Sequence, residues 1–517
     1  IKAIWIMATN PVVSLPNADQ VKRALDKCQF VVVSDICQDT DTTQYADVLL
    51  PALGWGEKDG TVTNSERRIS RQSQFLDAPE QTKADWWAVS QVAQKMGFSG
   101  FNFKNSHEIF LEHAQLSAYQ NLDVSSRQNI KNFRYFNLQG LTHLSFEAYQ
   151  NLKPIQWPVL KNDQNEAQYA QLFSEGQFSH ADGKARFIAT MAKKPINLPN
   201  AEYPLILNTG RIRDQWHTMT RTGLSANLST HKAEPYCEIH PNDALKYGIK
   251  EGELVEVKSA WGNCVLRSVV SDNIRRGQIF APIHWNDQFA SDARIGKVVN
   301  PVVDPISGEP EFKHTPVIIH PFYTQWQGVF YVRDGFEKMV QASIERLTWW
   351  TKIKTTQATR YELADRRKLT GTTKHLKALL PFENEDFEWL NLDDPSAHMS
   401  HSVIMKDGIL IASLYIAPKA LLPDRDWVAS LFKRERLSAM HRKALLAGQA
   451  MSMGNSEGAL VCSCFKVGKN RIIDTIKEKN LSNEKQVTAC LKAGGNCGSC
   501  LPEIRGLIKA CQMEAVE

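Results

Sequence analysis

Short apolar runs separated by polar turns characterise residues 1–110. Ile1–Met7 is an apolar run that predicts a buried strand, and Ala18–Cys28 carries apolar residues at helical spacing. Phe30–Ser34 and Val48–Leu50 are two further apolar, β-branched runs that predict strands. Strand, helix and strand in this order predict a right-handed βαβ unit and a parallel sheet. The first part of the chain is therefore predicted to be an α/β domain.

The pattern changes after this domain. Residues 111–200 are polar and irregular, with many Gln and Asn, and we interpret them as a connecting region. Residues 201–325 contain alternating or continuous apolar runs bounded by Gly and Asn turns, which predict a closed β-barrel. These runs are LILNTG, ELVEVKSAWGNCVLRSVV and GQIFAPIHW. The predicted fold class is thus multidomain α/β plus β.

The remainder of the chain predicts three further parts. Residues 326–446 form a mixed region of unknown role, whose acidic run from Glu383 to Glu388 is typical of a solvated surface. Residues 447–459 are small and polar and predict a linker. Residues 460–517 predict a small helical domain. Its helical signals are Ile472, Ile473 and Ile476 on one helix face and Pro502 at a second helix start.

Length and charge narrow the function classes. At about 150 residues per domain, 517 residues predict three or four domains. The net charge of +5 gives no case for nucleic-acid binding. Apolar stretches such as Ile409–Ala417 are too short to span a bilayer, so we expect neither nucleic acid nor membrane as a partner. Because Ile1 already lies in a predicted strand, we expect a fragment that lacks its N-terminal part, and the absence of a signal peptide is uninformative.

The cysteines indicate a metal site in a reducing compartment. Ten are present, and five of the last six fall within residues 462–500. Cys462-x-Cys464 and Cys497-x-x-Cys500 are two tight pairs that could supply four thiolates to zinc or to an iron–sulfur cluster. The unequal spacing and the nearby glycines favour a [2Fe–2S] cluster over zinc. We interpret Cys490, which lies outside this pattern, as a packing or spare residue.

Two segments are dense in polar groups beside apolar strands. Residues 47–68 combine charged side chains with glycines and suit a large anionic ligand. Residues 208–221, NTGRIRDQWHTMTR, offer backbone amides, Arg and His for a pyrophosphate, and Trp216 could stack on a flat ring. From the residues alone, a phosphate site and a basic surface loop both remain open for this second segment.

These segments resemble a known family. ADVLLPALGWGEKDGTVTNSERR, LILNTGRIRDQWHTMTRTG and EIHPNDALKYGIKEGELVEVKSAWG are similar to segments of the molybdopterin oxidoreductase superfamily, and VVDPISGEPEFKHTPV to its nitrate reductase branch. CSCFKVG and TACLKAGGNCGSCLPEI resemble the [2Fe–2S] domain of the bacterioferritin-associated ferredoxin type, which recurs in assimilatory nitrate and nitrite reductases. The resemblance covers roughly residues 1–110, 200–320 and 460–511.

The resemblance implies roles for individual residues. It assigns two sets to Mo-bis-molybdopterin guanine dinucleotide (Mo-bis-MGD), one in the α/β domain and one in the barrel, and a third set to the [2Fe–2S] cluster. A carboxylate such as Asp35 suits guanine because it can accept the adjacent N1–H and N2–H groups. The first set is Asn10, Ser34, Asp35, Lys58 and Asp85; the second is Thr209, Gly210, Arg211, Trp216, His217, Thr218, Asn300 and Lys313; the third is Cys462, Cys464, Cys497 and Cys500.

The implied reaction is the two-electron reduction of nitrate to nitrite in the cytoplasm, as part of nitrate assimilation. Electrons would reach the cluster from an NAD(P)H-dependent flavoprotein reductase, a ferredoxin or a flavodoxin. The molybdenum ligand and a [4Fe–4S] cluster are expected in the missing N-terminal part. The catalytic residues are therefore unassigned, and we expect this fragment alone to be inactive.

Other functions fit the same sequence. Within the superfamily, the chain could belong to a formate dehydrogenase or another molybdopterin oxidoreductase. Outside enzymes, it could be a non-catalytic electron-transfer or scaffold protein, or a zinc-stabilised binding module. Activity with nitrate or with formate discriminates between the two kinds of enzyme, and the molybdenum content discriminates enzymes from a non-catalytic protein. The visible spectrum discriminates a [2Fe–2S] cluster from zinc.

Overall fold

A computed structural model describes residues 1–121, 134–161, 167–169, 171–173, 176, 178, 180, 182–368, 380–382, 386–418, 421–449 and 457–514. The α-helices described are α1 (Pro11–Ser14), α2 (Ala18–Asp26), α3 (Asp85–Lys95), α4 (Ser106–Ala118), α5 (Phe146–Gln150), α6 (Pro241–Tyr247), α7 (Glu337–Ile344), α8 (Arg425–Leu431), α9 (Ala439–Ala447), α10 (Lys469–Lys479), α11 (Glu484–Leu491) and α12 (Leu501–Glu514).

The β-strands described are β1 (Ala3–Met7), β2 (Phe30–Asp35), β3 (Val48–Pro51), β4 (Gly60–Thr63), β5 (Arg68–Gln72), β6 (Ile155–Gln156), β7 (Val159–Lys161), β8 (Ala167–Tyr169), β9 (Leu205–Gly210), β10 (Tyr236–Ile239), β11 (Leu254–Lys258), β12 (Asn263–Val270), β13 (Gln278–Pro282), β14 (Thr315–Pro321), β15 (Trp326–Arg333), β16 (Trp349–Lys354), β17 (Ala358–Asp365), β18 (Glu388–Asp394), β19 (Met399–Lys406), β20 (Ile409–Ile416), β21 (Leu460–Cys462) and β22 (Val467–Gly468).

The chain forms two compact units. The first comprises residues 1–9, 28–39 and 45–193, and the second comprises residues 10–27, 40–44 and 194–517. Within the described residues, no helix is long and apolar enough to cross a membrane.

The first unit contains the predicted parallel sheet. β1, β2 and β3 pair in this order with all strands parallel, which confirms the prediction. Ile1 lies before β1 and is almost fully exposed. Within β1, Ile6 is buried, Ala3 is exposed and the other three residues are partly buried, so the strand is less buried than the sequence predicts.

The same unit has a second apolar cluster where a connecting region was predicted. β4, β5 and β6 pair as an antiparallel sheet. Ile69 of β5 packs in a cluster with Phe110 of α4, Leu138 and Tyr149 of α5. Residues beyond 110 therefore contribute to a core, so the description of 111–200 as an irregular connection was too simple.

The second unit contains the predicted barrel. Its strand order is β10–β12–β11–β14–β9–β13, closed on itself, which confirms the expectation of a closed barrel. Apolar side chains that alternate along these strands fill its interior, among them Leu207, Val257, Leu266 and Ile319. Beside the barrel, the guanidinium of Arg294 donates to the Val12 carbonyl at 2.8 Å.

Residues 326–446 include an antiparallel sheet that the sequence pattern did not predict. The order is β16–β17–β15–β20–β19–β18. Every residue of β17 is buried, and separate apolar clusters cover the two faces of the sheet. Strands buried on both sides lack the period-two alternation that identifies a strand in a sequence. Of the acidic run, residues 383–385 lie outside the described residues, and Glu388 is exposed.

The carboxyl-terminal domain is small and mostly helical, as predicted. A β21–β22 hairpin is followed by α10, α11 and α12. Ile472 and Ile476 of α10 are buried, and they pack with Ile504 of α12. α11 was not predicted. Most of the predicted linker, residues 450–456, lies outside the described residues.

Candidate functional site

The end of β9 shapes the first candidate site. β9 and β13 run parallel, so that Thr209 lies opposite Ala281 and Gly210 opposite Pro282. A Cβ on Gly210 would lie 2.7 Å from the ring of Phe280, which explains why glycine occupies this position. Thr209 is buried, and its hydroxyl donates to the Phe312 carbonyl at 2.7 Å.

Residues 211–221 follow this strand and form what we call the barrel loop. Gln215, Thr218 and Met219 are buried and anchor it, whereas Arg211, Trp216, His217 and Arg221 are exposed. The Arg211 guanidinium carbon lies 5.6 Å from the centroid of the Trp216 ring. The loop therefore presents a cationic and aromatic face on a fixed base, which suits a phosphate and a flat ring.

The backbone of this loop is strained at His217. Its φ of +44° lies in the left-handed region, which is uncommon for a residue with a Cβ. Partial burial lowers the pKa of the His217 imidazole, and the charges of Arg211 and Arg221 lower it further. Neutral His217 beside two guanidinium groups leaves the net charge of the loop face positive, as an anionic ligand requires.

His284, which sequence reasoning left unassigned, fixes the barrel loop at two points. Its Nδ1–H donates to the His217 carbonyl at 2.7 Å, and its Nε2 accepts from the Ile212 N–H at 2.9 Å. Both ring nitrogens are used by the neutral imidazole, and the side chain is fully buried. Burial lowers the pKa of His284, and the charge of Arg211 lowers it further, whereas the hydrogen bond to the His217 carbonyl opposes them. The only sequence signal was its position directly after the apolar run of β13.

Asn10 belongs to a buried polar network with this loop. Its Nδ2 donates to Thr218 Oγ1 at 3.2 Å, and its Oδ1 accepts from the Thr42 hydroxyl at 2.6 Å. The Asn286 amide donates to the Thr218 carbonyl. The structure thus brings together two residues, Asn10 and Thr218, that the sequence separates by 208 positions.

Asn300 and Lys313 both form hydrogen bonds within the barrel domain. Asn300 is fully buried, and its amide donates to the His314 carbonyl at 3.0 Å and to Thr315 Oγ1 at 3.1 Å. Its amide hydrogens are therefore already used by protein acceptors. The Lys313 ammonium donates to the Thr209 carbonyl. Lys313 thus contacts the end of β9 directly, whereas Asn300 bonds the start of β14, which pairs with β9.

The remaining candidates for the dinucleotide lie in the first unit. Ser34 is buried at the end of β2 and accepts from Trp5 Nε1 at 2.8 Å. Asp35 follows it, and its Oδ1 accepts from the Cys37 N–H at 2.9 Å. Lys58 forms an ion pair with Asp85, with 3.9 Å between the ammonium nitrogen and the carboxylate oxygen. Within this unit, therefore, two of the candidates are neighbours at a strand end and two form a pair.

The four candidate metal ligands gather at one end of the carboxyl-terminal domain. Cys464 and Cys497 are exposed, with 3.4 Å between their sulfurs, whereas Cys462 and Cys500 are buried in the domain core. The thiol donors thus come from both pairs, as an iron–sulfur cluster needs. In the described part of the chain, no three His, Cys, Asp or Glu side chains already surround a single point as one metal ion would require.

The pKa values of the thiols differ with their surroundings. The Ser499 hydroxyl and backbone N–H, followed by Cys464, lower the pKa of Cys497. Burial, followed by Cys462, raises the pKa of Cys500 to about 11. Gly494 has a φ of +84°, and a Cβ there would lie 2.5 Å from Leu501 Cδ2, so the turn before Cys497 requires glycine. The donor set and this turn fit a cluster held by thiolates.

Two further cysteines of the carboxyl-terminal domain, Cys490 and Cys511, lie outside this set. Cys511 packs against the domain core. Of the two interpretations of Cys490, packing or spare, the structure excludes packing, because the side chain is exposed on α11 with its sulfur 3.9 Å from Lys479 Nζ.

Comparison with known families defines the class of protein. Residues 1–95 match the family model Molybdopterin oxidoreductase, residues 205–316 match Molydopterin dinucleotide binding domain, and residues 460–510 match BFD-like [2Fe-2S] binding domain. The chain thus combines the two domain types of molybdopterin oxidoreductases with a [2Fe–2S]-binding domain at residues 460–510. These matches cover the barrel and the cysteine domain that the geometry singled out.

Among individual proteins, the chain is similar to nitrate reductases and to a formate dehydrogenase subunit. The chain is 38% identical to a nitrate reductase of Klebsiella oxytoca over 99% of its own length and 56% of that protein. It is 34% identical to a nitrate reductase of Shewanella frigidimarina over 100% of its length and 56% of that protein. It is also 32% identical to the F420-dependent formate dehydrogenase subunit alpha of Methanocaldococcus jannaschii over 60% of this chain and 42% of that protein. The chain thus spans about half the length of the curated relatives it matches.

Proposed function

We propose that this chain serves an assimilatory, cytoplasmic nitrate reductase that reduces nitrate to nitrite with two electrons and two protons. The observation that carries the proposal is the similarity to two nitrate reductases along essentially the whole chain, including both the barrel and the carboxyl-terminal cysteines. The oxidation–reduction chemistry is that of the molybdenum cofactor when it is bound.

The chain's own residues would bind and orient that cofactor. Arg211 would pair with a phosphate of the dinucleotide, and Trp216 would stack on a ring. Two threonines fix the segment that carries Arg211 and Trp216. Thr209, before the segment, donates to the Phe312 carbonyl, and Thr218, after it, accepts from Asn10. In the first unit, Ser34, Asp35, Lys58 and Asp85 stay candidates for guanosine and pterin contacts by resemblance.

The carboxyl-terminal domain would receive the electrons. Cys462, Cys464, Cys497 and Cys500 would hold a [2Fe–2S] cluster, and the exposure of Cys464 and Cys497 would let an electron donor approach it. We propose a flavoprotein reductase using NAD(P)H, a ferredoxin or a flavodoxin as that donor. A [4Fe–4S] cluster and the molybdenum ligand would come from outside these 517 residues.

The test uses the protein purified at its native length from its own host. With reduced methyl viologen as electron donor, we expect nitrite to form from nitrate, and the metal content to include molybdenum and iron. Formate oxidation without nitrate reduction would replace the proposal by the second candidate, a formate dehydrogenase, which the formate dehydrogenase relative supports over 60% of the chain. Protein free of molybdenum and inactive with both substrates would favour the non-catalytic alternative.

A further inference from the structure

The carboxyl-terminal domain contacts the barrel loop through a small set of charged side chains. Arg213 lies in the loop between Arg211 and Trp216. Its Nη2 donates to the Val461 carbonyl at 2.7 Å, and its Nη1 donates to Glu503 Oε2 at 3.1 Å. One guanidinium therefore joins the loop to two separate elements of the other domain, β21 and α12.

Two neighbours of Arg213 complete the contact. The Ser463 hydroxyl donates to Asp214 Oδ2 at 3.4 Å. His231 lies between two carboxylates, with its Nδ1 3.2 Å from Asp214 Oδ2 and its Nε2 3.8 Å from Glu503 Oε1. The side chains of Arg213, Asp214 and His231 are all at most 16% exposed, so that these charges interact where water screens them weakly.

The contact lies beside the candidate cluster ligands. Val461 and Ser463 flank Cys462 in the sequence, and Glu503 lies one helical turn beyond Cys500. A contact that grips both of these positions fixes the orientation of the cysteine-bearing end of the domain. The Arg213 guanidinium donates to the carbonyl of Val461, the residue directly before Cys462, which places its positive charge close to a candidate ligand.

We propose that Arg213, Asp214 and His231 form a docking site for the [2Fe–2S] domain, which holds the cluster end of that domain against the barrel loop. None of the three touches a candidate ligand group directly, so their role is positioning. Arg213 has a second role, because a fixed positive charge near an anionic cluster stabilises its reduced, more negative form and raises its reduction potential.

The contact between the [2Fe–2S] domain and the barrel loop would serve electron transfer only if the proposed function holds, since the barrel loop is the candidate dinucleotide site. The docking itself does not, and it can be measured without nitrate. A failure of docking and a failure of nitrate reduction are thus separate results.

The test is hydrogen exchange of backbone amides in the iron-loaded, native-length protein. In Arg213→Met we expect exchange to rise at least about tenfold in peptides covering 211–216 and 461–463, but not in β11 of the barrel. As a single variant, Glu503→Gln should also raise exchange in these peptides. Added to Arg213→Met, it should raise exchange little further, because both changes break the same contact. Arg505→Met is the matched control, since Arg505 lies on the same helix but pairs with Glu484 of its own domain.

A second readout is the reduction potential of the cluster, measured by titration followed by electron paramagnetic resonance. It should fall in Arg213→Met and not in Arg505→Met. Unchanged exchange in both peptides, or additive effects of the two variants, would overturn the docking site. An unchanged potential in Arg213→Met would overturn the electrostatic role of Arg213.

Discussion

The barrel and the carboxyl-terminal domain differ in how far their cysteine side chains are exposed. In the barrel, Cys237 and Cys264 are fully buried, and burial raises the pKa of both thiols. In the carboxyl-terminal domain, Cys464 and Cys497 are exposed, close together and open to a metal. The core of the barrel is thus built from buried side chains alone. The core of the smaller domain includes candidate ligands, so metal binding would stabilise its fold.

The largest effect expected from this difference concerns the cluster ligands. Cys462→Ser or Cys500→Ser should abolish the visible absorbance of the cluster and lower the thermal midpoint of the carboxyl-terminal domain, because each removes a ligand that is also part of the domain core. Iron analysis, absorbance and calorimetry measure this. Cys490→Ser is the control, and retention of full iron content by both ligand variants would show that the ligands lie elsewhere.

The second effect concerns the barrel loop. His284→Leu removes the hydrogen-bond partner of the Ile212 N–H and of the His217 carbonyl, and each lost hydrogen bond should cost about 0.5–1.5 kcal/mol. Urea denaturation should show this loss of stability, with the iron content unchanged. His320→Leu, at an exposed position of β14, is the control. If the two variants were equally stable, His284 would not anchor the loop.

How far the sequence predicted this molecule depends on the kind of pattern each part carries. The barrel strands alternate between interior and exterior, so they were recognisable, and the spacing of the cysteines identified the small domain. The sheet containing β17 was missed because burial on both faces removes the alternation.

Site residues divide in the same way. Arg211 and Trp216 stood out because their chemistry is concentrated in one segment. His284 and Arg213 act through partners distant in sequence: His284 bonds residues 72 and 67 positions away, and Arg213 bonds one 248 positions away. No local spacing encodes such pairs. Only the fold shows that a histidine after β13 fixes the loop after β9.

A smaller effect is expected from the barrel cysteines. Cys264→Ser places a hydroxyl in an apolar interior and should reduce the free energy of unfolding by about 1–3 kcal/mol without changing the iron content. In the iron-free protein, an alkylating reagent should modify Cys464 and Cys497 quickly and Cys264 only after unfolding, because the thiolate is the reactive form. Mass spectrometry of the alkylated peptides measures both rates. Rapid labelling of Cys264 in the folded protein would remove the contrast between the two regions.

The smallest effect is a pair of opposite pH dependences. Burial lowers the pKa of His231, but Asp214 and Glu503 outweigh burial and the nearby Arg213 charge, so that its pKa is raised. The stability that His231 adds to the folded protein is therefore complete below about pH 6.5, the ordinary pKa of histidine. This stability is lost as the pH rises through the raised pKa. The lowered pKa of His284 gives the reverse: its contribution is present above about pH 6.5 and is lost as the pH falls through the lowered value.

The contact between the domains should therefore loosen at high pH and the barrel loop at low pH. Nuclear magnetic resonance titration of the two imidazole rings gives the pKa values directly. Amide exchange in residues 461–463, corrected for its intrinsic pH dependence, should increase severalfold as His231 loses its proton. The positive charge of the neighbouring Lys232 also acts on Glu503 and lowers the pKa of that carboxyl. His231→Gln should abolish the increase, because it removes the titrating group but keeps a donor; an increase that persisted in this variant would assign the pH dependence to another residue.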